Sequence, residues 1–268
     1  MFRLIPPLLM LLLAIPGWPV VPNSRWDEID ALHDEDRHEE VLALLEEIEP
    51  VAESDAERAA LLWRRARAEF SRIDLALYAG EISESRALRE LEAVQETASR
   101  SVELDPDSAR GYFWRGAARA KRGELQGVLN ALFMADDLRR DMELSAEAEP
   151  EYGNPYYVAG QLYHQVPGFP ISFGDKVAAV SFSRRSVNLH ESAREAGEVA
   201  IRYWDFYVKL AEHLLGRDWP QRRRRRHAEA ILDDYRGAAS PLDRGRYDEA
   251  VAELPERSDR EEAPELID

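Results

Sequence analysis

"GYFWRGAARAKRGELQGVLNALFMA", Gly111 to Ala135, decides how the chain is read. Tyr112 and Gly116 lie four residues apart, so a bulky ring and a gap share one helix face. Gly123 marks a predicted turn, and Ala135 puts a second small residue on the helix that follows. This spacing suits two antiparallel helices that touch at the small residues, with the aromatics filling the space to the next pair. "YYVAGQLYH" (156–164) repeats the pattern through Tyr156, Gly160 and Tyr163, and "GDKVAAVSFSRRSV" (174–187) supplies Gly174 and Ala179.

Weaker copies flank these two. "ALLWRRARAEF" (60–70) reads as a first helix, and "ASRSVELDPDS" (98–108) as a second helix closed by Pro106. "YWDFYVKLAEHLLGRDW" (203–219) reads as a further first helix, and "RHEEVLALLEEIEP" (37–50) as the second helix of a truncated opening unit. Leu42, Leu45 and Ile48, then Leu88, Leu91, Val94 and Ala98, recur at the three- and four-residue spacing of a helix. The order of bulky residue, small contacts and closing proline is the tetratricopeptide (TPR) pattern. Gly116 and Gly160 stand 44 residues apart, beyond the 34 or so of a plain TPR unit, which predicts lengthened helices or inserted loops. The expected fold is all-α: a TPR-like α-solenoid of about five antiparallel helix pairs over residues 23–236. Each pair buries its apolar stripe only against its neighbours. Asp107 or Ser108, and Asn154 before Pro155, are the predicted N-caps.

Three features resemble a narrower family. A Leu-Trp-Arg-x-Ala-Arg-Ala-like run spans Leu62 to Ala68, a long helix is predicted from Glu124 to Leu144, and "PGFPISFGD" spans Pro167 to Asp175. These are similar to the regulator-of-microtubule-dynamics type of TPR protein and its exported bacterial relatives. Those relatives include the T component of TPR-associated TRAP transporters. The resemblance covers about residues 57–216 and implies a scaffold. It departs from lipid-anchored members because the chain has no cysteine.

Composition bounds the rest. Apolar residues make up 45% and charged ones 32%, as in a folded domain, and the net charge of −17 argues against nucleic-acid binding. Without cysteine there are no disulfides, thiolate metal sites or cysteine catalysis. Residues 1–22 join Arg3 to an apolar run, Leu8 to Ile15, broken by Pro6, Pro7, Pro16 and Pro19. They read as an export signal, with an uncleaved membrane anchor as the alternative. Residues 237–268 read as an acidic, largely disordered tail. The expected location is therefore periplasmic.

No phosphate-binding glycine loop, dinucleotide fingerprint, nucleophile elbow or zinc-protease motif occurs, so no enzyme, cofactor or metal is expected. His33 and His38 are expected to be solvated, a metal pair being the alternative. Carboxylate neighbours such as Glu46–Glu47 and Asp136–Asp137 are expected on solvated faces. The run Arg222 to Arg226 is expected on a solvated or internally paired face, with an anionic lipid or acidic partner as the alternative.

In "VPGFPISFGD" (166–175), Phe169, Ile171 and Phe173 alternate with smaller residues, which predicts an extended segment laid against the solenoid core. A ligand or subunit contact is the alternative. The predicted function is a non-enzymatic exported scaffold for a protein partner or a second copy of itself. Its candidate binding residues are Arg64, Arg67, Arg115, Arg119, Tyr156, Tyr163, His164, Phe169 and Phe173. The transporter resemblance implies an alternative, an accessory component handling a small ligand for a solute-binding protein.

Overall fold

The computed structural model describes residues 21–197, 199 and 204–216. Among these, every regular element is helical. The helices are α1 (Asn23–Asp34), α2 (His38–Ile48), α3 (Asp55–Tyr78), α4 (Glu84–Leu104) and α5 (Ala109–Gln126). They continue with α6 (Val128–Ala148), α7 (Gly153–Gln165), α8 (Lys176–Glu195) and α9 (Trp204–Leu215). Helix α9 begins the expected fifth pair. The Arg222–Arg226 run, the acidic tail and most of residues 1–22 lie outside the described residues.

Side-chain caps define several helix starts. Ser54 and Glu57 form a reciprocal capping box at α3, and Ser83, Ser108 and Asp175 accept backbone N–H groups at α4, α5 and α8. Asn154 is not a cap. It lies inside α7 and donates to the Tyr152 hydroxyl at 3.1 Å, and Tyr152 takes the cap position.

Contacts pair the helices in antiparallel register. Ser101 Oγ donates to the Ala59 carbonyl at 2.8 Å, tying the end of α4 to the start of α3. Ser145 Oγ repeats this to the Ala109 carbonyl at 2.8 Å, between α6 and α5. The two paired glycines behave as predicted. A Cβ on Gly116 would collide with Met142 Cε, and one on Gly160 would meet Ser183 Oγ at 2.5 Å and the Ala179 carbonyl at 3.2 Å. Gly123 does not turn the chain. It is buried inside α5 against the Ala131 backbone, and Gly127, at φ 88°, makes the turn instead. The long helix therefore starts at Val128, not Glu124.

The core follows the pairs as a series of clusters, with Val180, Leu210 and Leu214 joining α8 to α9. Val21, Ile29, Val41, Leu45 and Ile48 close the first end. Ala66, Ile73, Leu91, Val94 and Ala98 fill the α3–α4–α5 junction. Phe113, Ala135, Leu138, Met142, Tyr152 and Leu162 fill that of α5, α6 and α7.

The 166–175 loop departs from the extended segment expected. Its base is pinned: Gly174 N–H donates to the Pro167 carbonyl at 2.9 Å, and Asp175 N–H to the Tyr163 carbonyl at 2.9 Å. Phe173 turns inward against Tyr163 and Arg139. The chain bends at Gly168, whose carbonyl accepts from Ile171 at 3.2 Å, so the alternating pattern never lies flat on a surface. Phe169 and Ile171 stay 93% and 72% exposed. Only one of the three apolar side chains covers the core.

Candidate functional site: an arginine–aromatic ribbon on the first helices

The first helices place cations and rings in one band. On α3, Trp63, Arg64 and Arg67 share a face by three- and four-residue spacing. Asp30 of α1 accepts from both arginines. Arg64 Nε and Nη2 donate at 3.0 and 2.7 Å, and Arg67 Nη2 donates at 2.5 Å. Burial works against ionisation of Asp30, but hydrogen bonds and charge from the two guanidiniums outweigh it and hold its carboxyl below the usual range. The Arg64 guanidinium lies 4.1 Å from the Trp63 ring centroid and 4.7 Å from that of Trp26. Planar stacking of this kind is available to arginine and not to lysine.

The band continues across α5. Arg110 sits 3.7 Å over the Tyr152 ring and 6.0 Å from Trp63, while its guanidinium donates to Glu149 at 2.8 and 3.2 Å. Burial raises the Tyr152 phenol further above its ordinary value. The ribbon thus runs Trp26, Arg64, Trp63, Arg67, Arg110 and Tyr152, edged by the half-exposed carboxylates Asp30 and Glu149. In the ribbon, Trp26, Trp63 and Arg110 are partly exposed and can stack on aromatic or planar polar groups, whereas Arg67 and Tyr152 are buried and support them from below. Its edge offers both signs of charge, so it is not a strongly basic groove.

The other candidates separate from this band. Arg115 and Arg119 turn toward α6 and clamp Asp141, a side chain only 3% exposed; Arg115 donates to Oδ1 at 2.5 and 3.0 Å, and Arg119 to Oδ2. Tyr156 is buried, donates to the Pro150 carbonyl at 3.3 Å and lies under Arg185 at 4.5 Å. Tyr163 joins Phe173 and Phe182, each with ring centroids 5.1 Å away. The structure therefore groups Arg64 with Arg67, Arg115 with Arg119, and Tyr163 with Phe173, and leaves Tyr156 and Phe169 apart from all of them.

The histidines also differ from expectation. His164 stacks on His213 of α9, centroids 4.4 Å apart, and His213 Nδ1 lies 2.7 Å from Ser183 Oγ. Burial, with Lys176 and Lys209 nearby, lowers His164 to about 4. Burial, then His164 and the two lysines, lowers His213 to about 3. His33 and His38, expected in solvent, pack with centroids 4.9 Å apart, and His38 is buried. Burial first, then Arg67, lowers His33 to about 3. The turn between α1 and α2 folds the two rings under Arg67, which sequence spacing does not reveal. Among the described residues, no group of three or more His, Cys, Asp or Glu is placed to hold a metal. The carboxylates Glu46, Glu47, Asp136 and Asp137 are exposed, as expected.

Sequence reading missed Trp26, Asp30, Arg110, Asp141, Tyr152 and His213. Trp63 was available in the quoted arginine run. The buried carboxylates carry no local mark, because their partners lie between 22 and 37 residues away.

Similar proteins agree on the architecture. A thermophilic TPR protein of Thermus thermophilus superposes with a TM-score of 0.57 at 16% identity, over 86% of this chain and 98% of that one. No curated protein matches the sequence. The profile of the regulator of microtubule dynamics protein 1-3 family matches residues 26–218, and the ribbon and the helices from α2 to α9 fall within that span. The chain belongs to the regulator of microtubule dynamics protein 1-3 family.

Proposed function

We propose that the protein is an exported, non-enzymatic scaffold that holds a protein partner along its first-helix face. The carrying observation is the ribbon from Trp26 to Tyr152, where rings and guanidiniums from three successive helix pairs form one band. Arg and Trp supply much of the affinity at protein interfaces because they bury large, rigid surfaces. Asp30 and Glu149 hold the guanidiniums in place beforehand, so little side-chain entropy is lost on binding. Export rests on residues 1–22, and the reading with a solute-binding protein as partner rests on the transporter resemblance.

Affinity capture from the extracytoplasmic fraction tests this reading, comparing the native chain with Trp63→Ala and Arg110→Ala. A partner retained by the native chain and lost by both variants, at unchanged melting temperature, is the expected result. Equal capture by all three chains overturns the ribbon as the binding face. Finding the protein in the cytoplasm with Met1 retained overturns export.

A further inference from the structure

We propose that the turn between α1 and α2 is an acid-sensitive latch on the ribbon: protonation of the His33–His38 pair frees α1, and with it Trp26 and Asp30, from α3. This regulation rests on the ribbon being the binding face. Trp26, Asp30 and His33 follow one another at four- and three-residue spacing, so they form a single stripe along α1. The first two meet α3 directly: the Arg64 guanidinium lies 4.7 Å from the Trp26 ring centroid, and Asp30 accepts from Arg64 and Arg67. His33 ends the stripe, and its ring packs 4.9 Å from that of His38, the first residue of α2. Helix α1 packs mainly on α2, so the histidine contact is part of what fixes the stripe against α3.

The pair accommodates neutral rings only. His38 is buried, and neither of its ring nitrogens has a protein hydrogen-bond partner; His33 Nδ1 is buried and unpartnered as well. A protonated imidazole carries two N–H donors and a charge, and the surrounding groups are not placed to take them up. Arg67 of α3 opposes a positive charge on either ring. Asp30 of α1 already holds two guanidiniums. On the turn, Asp36 Oδ1 stops 3.7 Å from His38 Nε2, outside hydrogen-bond reach, and its side chain is 75% exposed. Glu39 of α2 is exposed and faces Arg72 at 3.9 Å, and Arg37 of the turn pairs with Glu35 and Glu40. Burial, the largest effect on both rings, acts with Arg67 to outweigh the nearby carboxylates. His33 is lowered from 6.5 to about 3, and His38 is lowered too.

Once α1 opens, the rings return to their ordinary value, above the folded one. Closure of α1 is therefore complete above pH 6.5 and is lost as pH falls toward the folded value. Opening lets water take the added N–H donors and withdraws Trp26 and Asp30 from the band. Trp63 on α3 and Arg110 on α5 stay in place. The partner is held at neutral pH and released in acid.

Hydrogen exchange of the full chain at pH 7 and pH 5, corrected for intrinsic rates, tests the latch without any partner. Between the two, α1 should lose protection roughly 10- to 30-fold per ring relative to α4, a helix that contains no histidine. His33→Phe with His38→Phe keeps two packed rings, removes the titration and should abolish that excess. His33→Phe alone should reduce it, and serves if the pair fails to fold. Protection of α1 that is constant with pH, or that falls only as far as that of α4, overturns the proposal. So does an excess that persists in the variants. Affinity capture at the two pH values reads the consequence for the ribbon. A partner bound at pH 7 and released at pH 5 by the native chain, but kept at both by the double variant, is the expected result. Equal capture at both by a native chain whose α1 has opened overturns control of the ribbon. Failure of the ribbon as the binding face shows separately, as capture at pH 7 that Trp63→Ala and Arg110→Ala leave intact.

Discussion

His164 and His213 stack ring on ring, 4.4 Å between centroids and 22° from parallel, where α9 packs against α7. Gly216 closes over this pair: a Cβ there would meet His164 Cε1 at 2.5 Å. Lys176 and Lys209 lie near both rings, Lys209 being paired with Glu212 at 2.9 Å. The pair suits neutral imidazoles only.

A pH dependence follows from this. The folded values, about 4 for His164 and about 3 for His213, lie below the ordinary 6.5. The unfolded chain therefore binds more protons than the folded one below pH 6.5. The stability associated with the neutral rings is complete above that pH and is lost as pH falls through the folded values, at up to about 1.4 kcal/mol per pH unit per ring. Hydrogen exchange of α9 between pH 7 and pH 5 should show accelerated opening. His164→Phe with His213→Phe should flatten that dependence; an equally steep profile in the double variant would refute it.

The helix-contact glycines should not accept side chains. Gly116→Leu meets Met142, Asp141 and Leu138, and Gly160→Leu meets the α8 backbone. Each should cost about 1–3 kcal/mol or more through overpacking. The exposed Glu46→Ala should stay within about 0.5 kcal/mol. Denaturant midpoints of the three variants provide the comparison.

Asp141 is the carboxylate most exposed to a charge imbalance. Asp141→Ala leaves Arg115 and Arg119 without their shared partner beneath the surface. Loss of one side of a buried ion pair costs about 3–5 kcal/mol. Asp30→Ala should cost less, because the Asp30 side chain is 36% exposed and water can replace it. Equal midpoints for the two variants would contradict the difference in burial.

Phe173 and Phe169, four residues apart on one loop, should respond oppositely in thermal melts. Phe173→Ser removes a partly buried aromatic packed on Tyr163 and Arg139, so the loss should fall below the roughly 1.5–3 kcal/mol of a fully buried ring. Phe169→Ser should leave the melt unchanged, since that ring is 93% exposed. A lower melting temperature for both would show that the loop tip contacts the core.

The sequence by itself determined the helices, their pairing and the family. Those depend on periodicity and on small residues at fixed spacing, signals contained within a turn or two of chain. Gly116 and Gly160 were legible because close approach permits no side chain. Gly123 was misread as a turn because a contact glycine and a turn glycine look alike until the backbone angle of Gly127 is known. Tertiary structure alone decided which charges meet and which rings are buried. Asp30 reaches Arg67 across 37 residues, and His164 reaches His213 from another helix. It also decided that Phe173 faces inward and Phe169 outward. The backbone bonds closing the loop at Pro167 and Tyr163 set that, and a two-residue alternation cannot encode it.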